Sequence, residues 1–366
     1  GDQVPPLSMM IKPASGMCNL RCKYCFYHDV AEHRSVPNTG CMAQQTAHRL
    51  IDQALAFAGG EQIAFAFQGG EPLLAGREYF RDFVGYVRRQ NKKKSPVFFS
   101  LQTNGILVDD EWADFFHQNH FLIGLSLDGD RAGNKFRVGP DGGNSFDSIL
   151  TAAHMLEKHQ VDFNILTVVT GYTARNINRI YDFFKKQGFR YLQFIPCLRP
   201  FGDDSVSNLY MTDSEYEFFL VNLFNAYVKD YVRGNYVSIR QFDNWVHLYL
   251  GDPAEQCGVC GHCSRQFVAE GDGSIYPCDF YCLDEWRLGN INTDSLEDMA
   301  NSDRAAAFLR ESFAVPEKCR SCKFSGICRA QGCKRNREDS DHCKAYMGFF
   351  SKCMPLFRVF MNEKRR

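Results

Sequence analysis

Fourteen of the sixteen cysteines fall into two groups along this chain of 366 residues, and they constrain its fold more than any other feature. The stretch CNLRCKYC contains Cys18, Cys22 and Cys25, directly after the apolar run LSMMI. Eleven more cysteines lie between residues 257 and 353. Thiols in the cytoplasm stay reduced, and disulfide frameworks belong mainly to small secreted domains. The pattern therefore predicts two regions that bind metal ions or clusters.

Composition and charge narrow the class of protein. Hydrophobic residues make up 45% and charged residues 23% of the chain, as in ordinary globular proteins, and the formal net charge is -1. We expect no nucleic-acid partner, because this charge gives no basic footprint. No stretch approaches the roughly 20 apolar residues of a membrane span, and the opening GDQVPP lacks the features of a secretory signal. We expect a cytoplasmic protein without a membrane partner.

Residues 1–235 alternate strand-like and helix-like segments. The strand-like runs are LSMMI, QIAFAF, VFFSLQ, FLIGLSL, VDFNILTVV and YLQFIP. The segments of helical period are 42–58, 77–91, 109–118, 145–159, 173–187 and 213–232. Such alternation predicts a parallel sheet with right-handed crossovers. Six units are two short of a closed eightfold barrel. We therefore predict an α/β domain, a partial (β/α)6 TIM-like barrel, with its active site at the carboxyl ends of the strands.

Residues 236–366 are predicted to form a second, loop-rich domain. Regular periodicity is lost after VSIR, although QFVAEGDGSIYPCD has the pattern of a hairpin that turns on GDG. Burial alone would leave so small a region marginally stable. Bound clusters would supply the missing stability.

A C-x3-C-x2-C loop after the first strand resembles the radical S-adenosylmethionine superfamily. The resemblance implies that Cys18, Cys22 and Cys25 hold three irons of a 4Fe-4S cluster, whose fourth iron chelates S-adenosyl-L-methionine (AdoMet). Short gaps suit this role, because the backbone must curl around the cluster. A structural zinc site is the alternative. It needs a fourth ligand, for which His28 and Cys41 are the candidates.

Further matches to the superfamily follow the later strands. QGGEP follows the second strand, where glycines let the backbone approach the methionine amine closely, and LQTNG and GLSLDG follow the third and fourth. Read singly, each of these residues is one that commonly caps or packs. By resemblance, the residues that bind the cofactor are Tyr24, Gly69, Gly70, Glu71, Ser126, Arg137 and Leu198.

The second cysteine region resembles the SPASM domain. Cys263, Gly273 and Cys278 fit its C-x9-15-G-x4-C element, and a C-x2-C-x5-C element begins at Cys319. The resemblance implies two auxiliary 4Fe-4S clusters, each held entirely by protein. The ligands are Cys257, Cys263, Cys278 and Cys333 for the first cluster, and Cys319, Cys322, Cys328 and Cys343 for the second.

Some details of this region stay open. Four residues, RAQG, separate Cys328 from Cys333, where the family has three. Cys260 can replace Cys257 or Cys263 as a ligand. One or two zinc ribbons are the alternative for the whole region. The cysteines that are not assigned as ligands are expected to be small buried hydrophobic residues: Cys41, Cys197, Cys260, Cys282 and Cys353.

A closer resemblance covers essentially the whole chain. The strings IKPASGMCNLRCKYCFYHD, AFQGGEPLLAG, SLQTNG, GLSLDG, LQFIPCL and VAEGDGSIYPCDFY are similar to those of anaerobic sulfatase-maturating enzymes. The resemblance implies a radical oxidoreductase that converts a Cys or Ser side chain of a client sulfatase to Cα-formylglycine. Which of the two residues is oxidised, in which sulfatase, and in which oligomeric state the enzyme acts are not given by the sequence.

The same resemblance implies roles and partners. Asp279, in the YPCD element, is expected to be the general base that takes the client's proton; capping of a turn is its alternative role. Gln68, Tyr27 and Asn104 are expected to hold the client sulfatase, or its unfolded motif peptide. An external one-electron donor such as flavodoxin or ferredoxin is expected as a second partner.

Two other functions stay open at this point. Another radical peptide maturase, which forms thioether or carbon-carbon crosslinks, would use the same clusters. Many of those carry an N-terminal leader-recognition domain, for which the 17 residues before Cys18 leave no room. A zinc-binding interaction module is the other alternative, and it predicts a colourless protein.

Overall fold

The computed structural model describes residues 7–202, 207, 209–339 and 341–365. The strands are β1 (Leu7–Ile11), β2 (Ile63–Phe67), β3 (Val97–Thr103), β4 (Leu122–Ser126), β5 (Phe163–Val169), β6 (Tyr191–Pro196), β7 (Ser238–Ile239), β8 (Phe267–Ala269), β9 (Ser274–Tyr276) and β10 (Gly289–Asn290). The helices are α1 (Phe26–Glu32), α2 (Gln44–Ala58), α3 (Arg77–Gln90), α4 (Asp110–Gln118), α5 (Phe146–Lys158), α6 (Gly171–Arg175), α7 (Ile177–Lys186), α8 (Asp213–Val232), α9 (Arg240–Tyr249), α10 (Cys257–Cys260), α11 (Leu296–Ala300), α12 (Asp303–Ser312), α13 (Glu317–Arg320), α14 (Ser325–Cys328), α15 (Lys334–Asp339) and α16 (Cys343–Cys353). Short 3-10 helices lie at Pro72–Ala75, Asp279–Tyr281, Asp284–Trp286 and Met354–Arg365.

The chain divides into two compact units, and neither is a single stretch of sequence. The first comprises Gly1–Ser126, Val138–Phe163 and Arg265–Phe308. The second comprises Leu127–Arg137, Asn164–Ser264 and Leu309–Arg366. The domain boundary placed after residue 235 stays a prediction.

The first unit is organised around β1, which is hydrogen-bonded along both of its edges. On one side β1 pairs in parallel with β2, so that Ile11 lies opposite Phe67, and β3 and β4 continue the parallel sheet. On the other side β1 pairs in parallel with β8, so that Ile11 lies opposite Ala269. The β8–β9 hairpin and β10 extend the sheet in antiparallel fashion. The strand order is therefore β10-β9-β8-β1-β2-β3-β4.

Aromatic side chains fill the core of this unit. Phe65 and Phe67 of β2 are fully buried, as their alternation along the strand predicts. The ring of Phe67 lies 5.0 Å from that of Phe83 on α3, in an edge-to-face arrangement. Such pairs are favoured beyond the area that they bury. They fix α3 against the sheet and so help to position the carboxyl end of β2.

The second unit combines parallel strands with packed helices. Leu192 of β6 lies opposite Ile239 of β7, and β5 pairs with β6 on its other side. Phe224 of α8 lies 5.4 Å from Phe349 of α16 and 4.6 Å from Phe357, ring centre to ring centre. Within the described part of the chain, none of the helices has both the length and the apolar character needed to cross a bilayer.

Helix starts follow the polar residues that the sequence offers. Asp109 caps α4, its side chain accepting from Trp112 N. Thr212 caps α8 and forms a reciprocal capping box with Glu215. The segment 173–187, predicted as one helix, is two, because α6 ends at Arg175 and α7 begins at Ile177, with Asn176 as the cap of both.

The six strands predicted before residue 235 and the hairpin on GDG are confirmed. The predicted loss of helical period after VSIR is wrong, because α9, α12 and α16 lie in that region. In α9 the residues Phe242, Trp245 and Val246 are buried. Their spacing of three to four residues is the ordinary mark of one apolar helix face.

Candidate active site

The predicted cofactor loop leaves the sheet at the carboxyl end of β1. Ser15 N donates to Lys12 O at 3.1 Å, which turns the chain towards the cysteines. Cys18 and Cys22 are half-buried, and Cys25, directly before α1, is exposed. All three are free thiols. The loop thus offers three sulfur ligands beside the strand end at which a parallel α/β fold carries its active site.

The hydrogen bonds around Cys18 suit a thiolate ligand. Leu20 N donates to Cys18 Sγ at 3.4 Å, and Asn104 Nδ2 lies 3.7 Å from the same atom. Asn104 Nδ2 also donates to Asn19 Oδ1 at 2.7 Å, which fixes the orientation of its amide. N–H donors of this kind stabilise anionic sulfur and tune an iron–sulfur cluster. The loop therefore fits the predicted cluster, and Asn104 holds the loop; its contact with the client stays a prediction.

The GGEP segment packs directly on the cysteine loop. Gly70 N donates to Ser15 O at 3.0 Å, and Glu71 N donates to Met17 O at 2.7 Å. Gly69 has a φ of 117°, and a Cβ there would lie 2.6 Å from Ser15 O. A Cβ on Gly70 would lie 2.1 Å from Met17 O. Both positions require glycine because the two backbones approach too closely for a side chain.

Glu71 ties the ends of β2 and β3 together. Its carboxylate accepts from Thr103 Oγ1 at 2.7 Å, from Asn104 N at 2.9 Å and from Leu73 N at 3.3 Å. Burial raises the pKa of Glu71 to about 7, while the three donors oppose that rise. Glu71 thereby positions Asn104, which in turn contacts the Cys18 sulfur. Direct contacts of Gly69, Gly70 and Glu71 with the cofactor stay predictions.

Arg137 is held in a buried ion pair. Its Nε lies 3.1 Å from Asp128 Oδ2, and the two side chains are 9% and 2% exposed. Asp128 also accepts from Val168 N at 2.9 Å, which anchors the pair to β5. Ser126, the last residue of β4, and Leu198, just beyond β6, are half-buried. Cofactor contacts of Arg137, Ser126 and Leu198 stay predictions.

Three further residues were predicted to contact the cofactor or the client, namely Tyr24, Gln68 and Tyr27. Tyr24 is half-buried within the cysteine loop. Gln68 follows β2, and its N donates to Ile11 O at 2.9 Å. The side chain of Tyr27 lies outside the described part of the chain. The roles of Tyr24, Gln68 and Tyr27 stay predictions.

Asp279 lies where the chain leaves the β8–β9 hairpin. It follows Cys278, begins a 3-10 helix and is 9% exposed. Its Oδ1 lies 2.9 Å from Nζ of Lys12, the residue directly after β1. Because β1 pairs with β8, the strand that carries the cysteine loop and the hairpin that carries Asp279 are fixed to one another.

The structure adds three charged residues that the sequence analysis missed, namely Lys12, Arg34 and Glu270. Glu270 is 1% exposed, accepts from Ser15 Oγ at 2.9 Å and pairs with Arg34 Nη1 at 3.1 Å. One signal was present in the sequence, since a lysine directly after a buried apolar strand is unusual. The partners of Lys12 could not be read from the sequence, because they lie on the segment after the β8–β9 hairpin, far along the chain.

The predicted ligands of the second auxiliary cluster are brought together in the second unit. Burial raises the pKa of the Cys328 thiol to about 11, and its sulfur accepts from Gln331 N at 3.4 Å. The Cys322 sulfur accepts from Phe324 N at 3.5 Å. The thiols that lie beside Cys328 and add to its raised pKa are Cys343, Cys319 and Cys322. This set therefore fits a cluster held by four thiolates.

Three of the four predicted ligands of the first auxiliary cluster also lie together. Burial raises the pKa of Cys257 to about 12, and the nearby thiols of Cys333, Cys263 and Cys260 contribute. The Cys260 thiol donates to Gln256 O at 3.3 Å, and the choice of Cys257 and Cys263 over Cys260 as ligands stays a prediction. Cys278 belongs to the other compact unit, and its ligation stays a prediction.

The segment RAQG, which separates Cys328 from Cys333 and is one residue longer than in the family, has an unusual backbone. Arg329, Ala330 and Gln331 have φ values of 51°, 51° and 64°, and Gly332 follows at 79°. Each non-glycine residue in this left-handed region costs roughly 1–2 kcal/mol. A Cβ on Gly332 would lie 1.9 Å from Gly258 O. The RAQG segment is thus a left-handed turn that brings Cys333 close to the Cys257 segment.

The unassigned cysteines divide into two kinds. Cys197, Cys282 and Cys353 are buried, as expected, whereas Cys41 is exposed and Cys260 is half-buried, so the expectation is wrong for these two. Among the residues that the structure describes, no three His, Cys, Asp or Glu side chains converge as one metal ion requires. A 4Fe-4S cluster distributes its thiolates over separate irons, so its ligands need not share one ion.

Comparison with known proteins gives matches over the whole chain. Family models match at residues 13–184, for the Radical SAM superfamily, and at residues 251–323, for an iron-sulfur cluster-binding domain. A cysteine-type anaerobic sulfatase-maturating enzyme of Clostridium perfringens is 42% identical over 99% of this chain and 100% of its own. A serine-type enzyme of Bacteroides thetaiotaomicron is 27% identical over 98% of this chain and 92% of its own.

Solved structures also match this chain over nearly its whole length. A structure of native anSMEcpe with bound AdoMet and Cp18Cys peptide is 41% identical to this chain, with a TM-score of 0.92, and the match covers 98% of this chain and 99% of that one. The predicted fold class is therefore confirmed: an α/β radical SAM fold with a parallel sheet and a C-terminal auxiliary cluster domain.

Gly70→Ala tests the packing of GGEP on the cysteine loop. The new Cβ would meet a main-chain oxygen, which no side-chain rotation can relieve, so we expect the free energy of unfolding to fall by about 3 kcal/mol. Thermal unfolding would show this as a lower midpoint. Gly16→Ala is the matched control, since a Cβ there meets nothing within 4 Å. Equal midpoints for the two variants would contradict the described packing.

Proposed function

The chain belongs to the anaerobic sulfatase-maturating enzymes of the radical SAM superfamily, and from this membership we propose that it oxidises a cysteine of a client sulfatase to Cα-formylglycine. The observation that carries the choice of cysteine is its greater similarity to the cysteine-type than to the serine-type enzymes. The Cp18Cys peptide bound in the related structure supports a peptide segment as client.

The cofactors of this family are 4Fe-4S clusters and AdoMet. In this chain Cys18, Cys22 and Cys25 would hold the cluster that binds AdoMet. The two C-terminal sets of cysteines would hold auxiliary clusters. When bound, these groups supply hydrogen-atom abstraction from the client and uptake of an electron. We propose an external one-electron donor of the flavodoxin or ferredoxin class as the second partner.

The proposed oxidation removes two electrons from the Cβ–S unit of the client. One hydrogen leaves the β-carbon as an atom, one proton leaves the sulfur, and one further electron departs. The carbon–sulfur single bond thereby becomes a double bond. Water then replaces the sulfur, which leaves as sulfide, and the side chain becomes an aldehyde.

The chain's own residues supply the proton acceptor and the positioning. Asp279 is proposed to take the proton from the client's sulfur, because it is a nearly buried carboxylate that directly follows a predicted cluster ligand. Gln68, Tyr27 and Asn104 are proposed to bind the client peptide. Glu71 holds the end of β3 and the amide of Asn104 in place through its three hydrogen bonds.

Paired client peptides test the choice of cysteine. Two copies of a sulfatase-motif peptide, one with Cys and one with Ser at the reacting position, are incubated with reduced enzyme and AdoMet and read by mass spectrometry. We expect the Cys peptide to be converted at least about tenfold faster, a difference of about 1.4 kcal/mol in barrier. An Ala peptide is the blank. Equal or faster conversion of the Ser peptide would overturn the proposal.

Asp279→Asn tests the assignment of the base. We expect deoxyadenosine to form at nearly the parental rate, while formylglycine falls at least about 100-fold, because no carboxylate is left to take the proton. Both products are quantified in the same reaction. Asp284→Asn is the control, since this carboxylate contacts the exposed Ser35 and is outside the proposed site. A parental rate of formylglycine formation in Asp279→Asn would show that the base lies elsewhere.

A further inference from the structure

Lys12 occupies an unusual place at the carboxyl end of β1. It directly follows Ile11, its N donates to Ala269 O at 2.9 Å, and it is 3% exposed. A buried lysine is expensive unless it is paired, because its charge is removed from water. A charge buried at this position therefore needs partners, which the contacts of its ammonium group supply.

The ammonium group contacts two groups on the segment that follows the β8–β9 hairpin. Nζ lies 2.9 Å from Asp279 Oδ1 and 3.5 Å from Cys282 Sγ. Burial by itself lowers the pKa of Lys12, but Asp279, Cys282 and Glu270 outweigh it and raise the pKa above its ordinary value. Burial also raises the pKa of Cys282 to about 12. The ammonium group of Lys12 is thus held in an ion pair with the Asp279 carboxylate.

A second buried cation, Arg34, has a different acceptor. Arg34 Nη1 pairs with Glu270 Oε2 at 3.1 Å, and Ser15 Oγ donates to the same oxygen at 2.9 Å. Asp279 pairs with Lys12, whereas Glu270 pairs with Arg34. These four side chains therefore form two ion pairs, and each cation holds a different carboxylate.

We propose that Lys12 is a positioning residue that orients the Asp279 carboxylate for proton transfer from the client. This inference rests on the proposed role of Asp279 as the base. An ion pair with 2.9 Å between Nζ and Oδ1 holds one oxygen of the carboxylate beside the ammonium group, and this limits the directions in which the other oxygen can point. Because Lys12 directly follows β1, the strand that carries the cysteine loop also fixes the position from which Lys12 orients the carboxylate.

The physical consequence is a separation of two steps. Hydrogen abstraction needs the cysteine loop and AdoMet, whereas the ammonium group of Lys12 contacts Asp279 and Cys282 on the segment after the β8–β9 hairpin. Proton removal needs a carboxylate that is already aimed, because a misplaced base loses much of its effect. Loss of the ammonium group should therefore leave AdoMet cleavage running while it impairs formylglycine formation. The protons of Lys12 stay on its nitrogen throughout.

Lys12→Met tests this separation. We expect deoxyadenosine formation to stay within about threefold of the parent and formylglycine formation to fall at least about tenfold in kcat, with the KM for the Cys peptide little changed. Lys12→Arg, which keeps a cation, should recover part of the yield. Lys185→Met is the matched control, since it removes a lysine that pairs with the nearly buried Asp230 between α7 and α8, outside the proposed site, and its ratio of the two products should be parental. Iron content and cluster absorption are measured for every variant.

A double variant keeps the test decisive if Lys12→Met fails to fold. Lys12→Met/Asp279→Asn leaves no lone charge at this pair, and it should match Asp279→Asn, because a residue that acts through Asp279 has nothing left to position. A further tenfold loss in the double variant would contradict the proposal. So would a parental product ratio in Lys12→Met while Asp279→Asn is inactive. Parental activity in Asp279→Asn would instead sink the proposed base itself.

Discussion

Hydrogen bonding along both edges of β1 is the constraint on which the rest of the site depends. One edge joins β2, whose following GGEP segment packs on the cysteine loop, and the other joins β8, whose hairpin leads to Asp279. A five-residue strand thus positions the thiols that would hold a cluster and the carboxylate that would take the proton. Radical chemistry needs the cluster ligands and the base to be fixed relative to one another, because a small misplacement of reacting groups lowers the rate strongly.

Close backbone packing and buried charge fix the details around this strand. Gly69 and Gly70 allow main chains to approach to distances that a Cβ would forbid. Glu71 is satisfied by three donors, Asp128 by Arg137 and Val168, and Asp279 by Lys12. Buried carboxylates are tolerated only with such partners. The polar interior is therefore a set of specific pairs, each of which ties one strand end to another.

The sequence predicted the parts whose signals are local. The six strands follow from apolar runs, helix α8 from the helical period of residues 213–232, and the GDG turn from its residues. It failed at α9, although Phe242, Trp245 and Val246 have helical spacing, and at α16, which begins and ends with a cysteine. It also could not give the pairing of β1 with β8 or the contact of Lys12 with Cys282, 270 residues apart. Periodicity reports on neighbours within one helical turn or strand, whereas these contacts arise only when the chain has folded.

The central claim is that these thiols hold iron–sulfur clusters, and metal content under strictly anaerobic conditions tests it most directly. Iron, zinc and acid-labile sulfide are measured on the purified protein after reconstitution with iron and sulfide. The account predicts about twelve irons and as many sulfides for each chain, from three clusters of four. Replacing Cys18, Cys22 and Cys25 together by alanine should remove about a third of both. A protein that retains zinc and carries no sulfide would contradict the account.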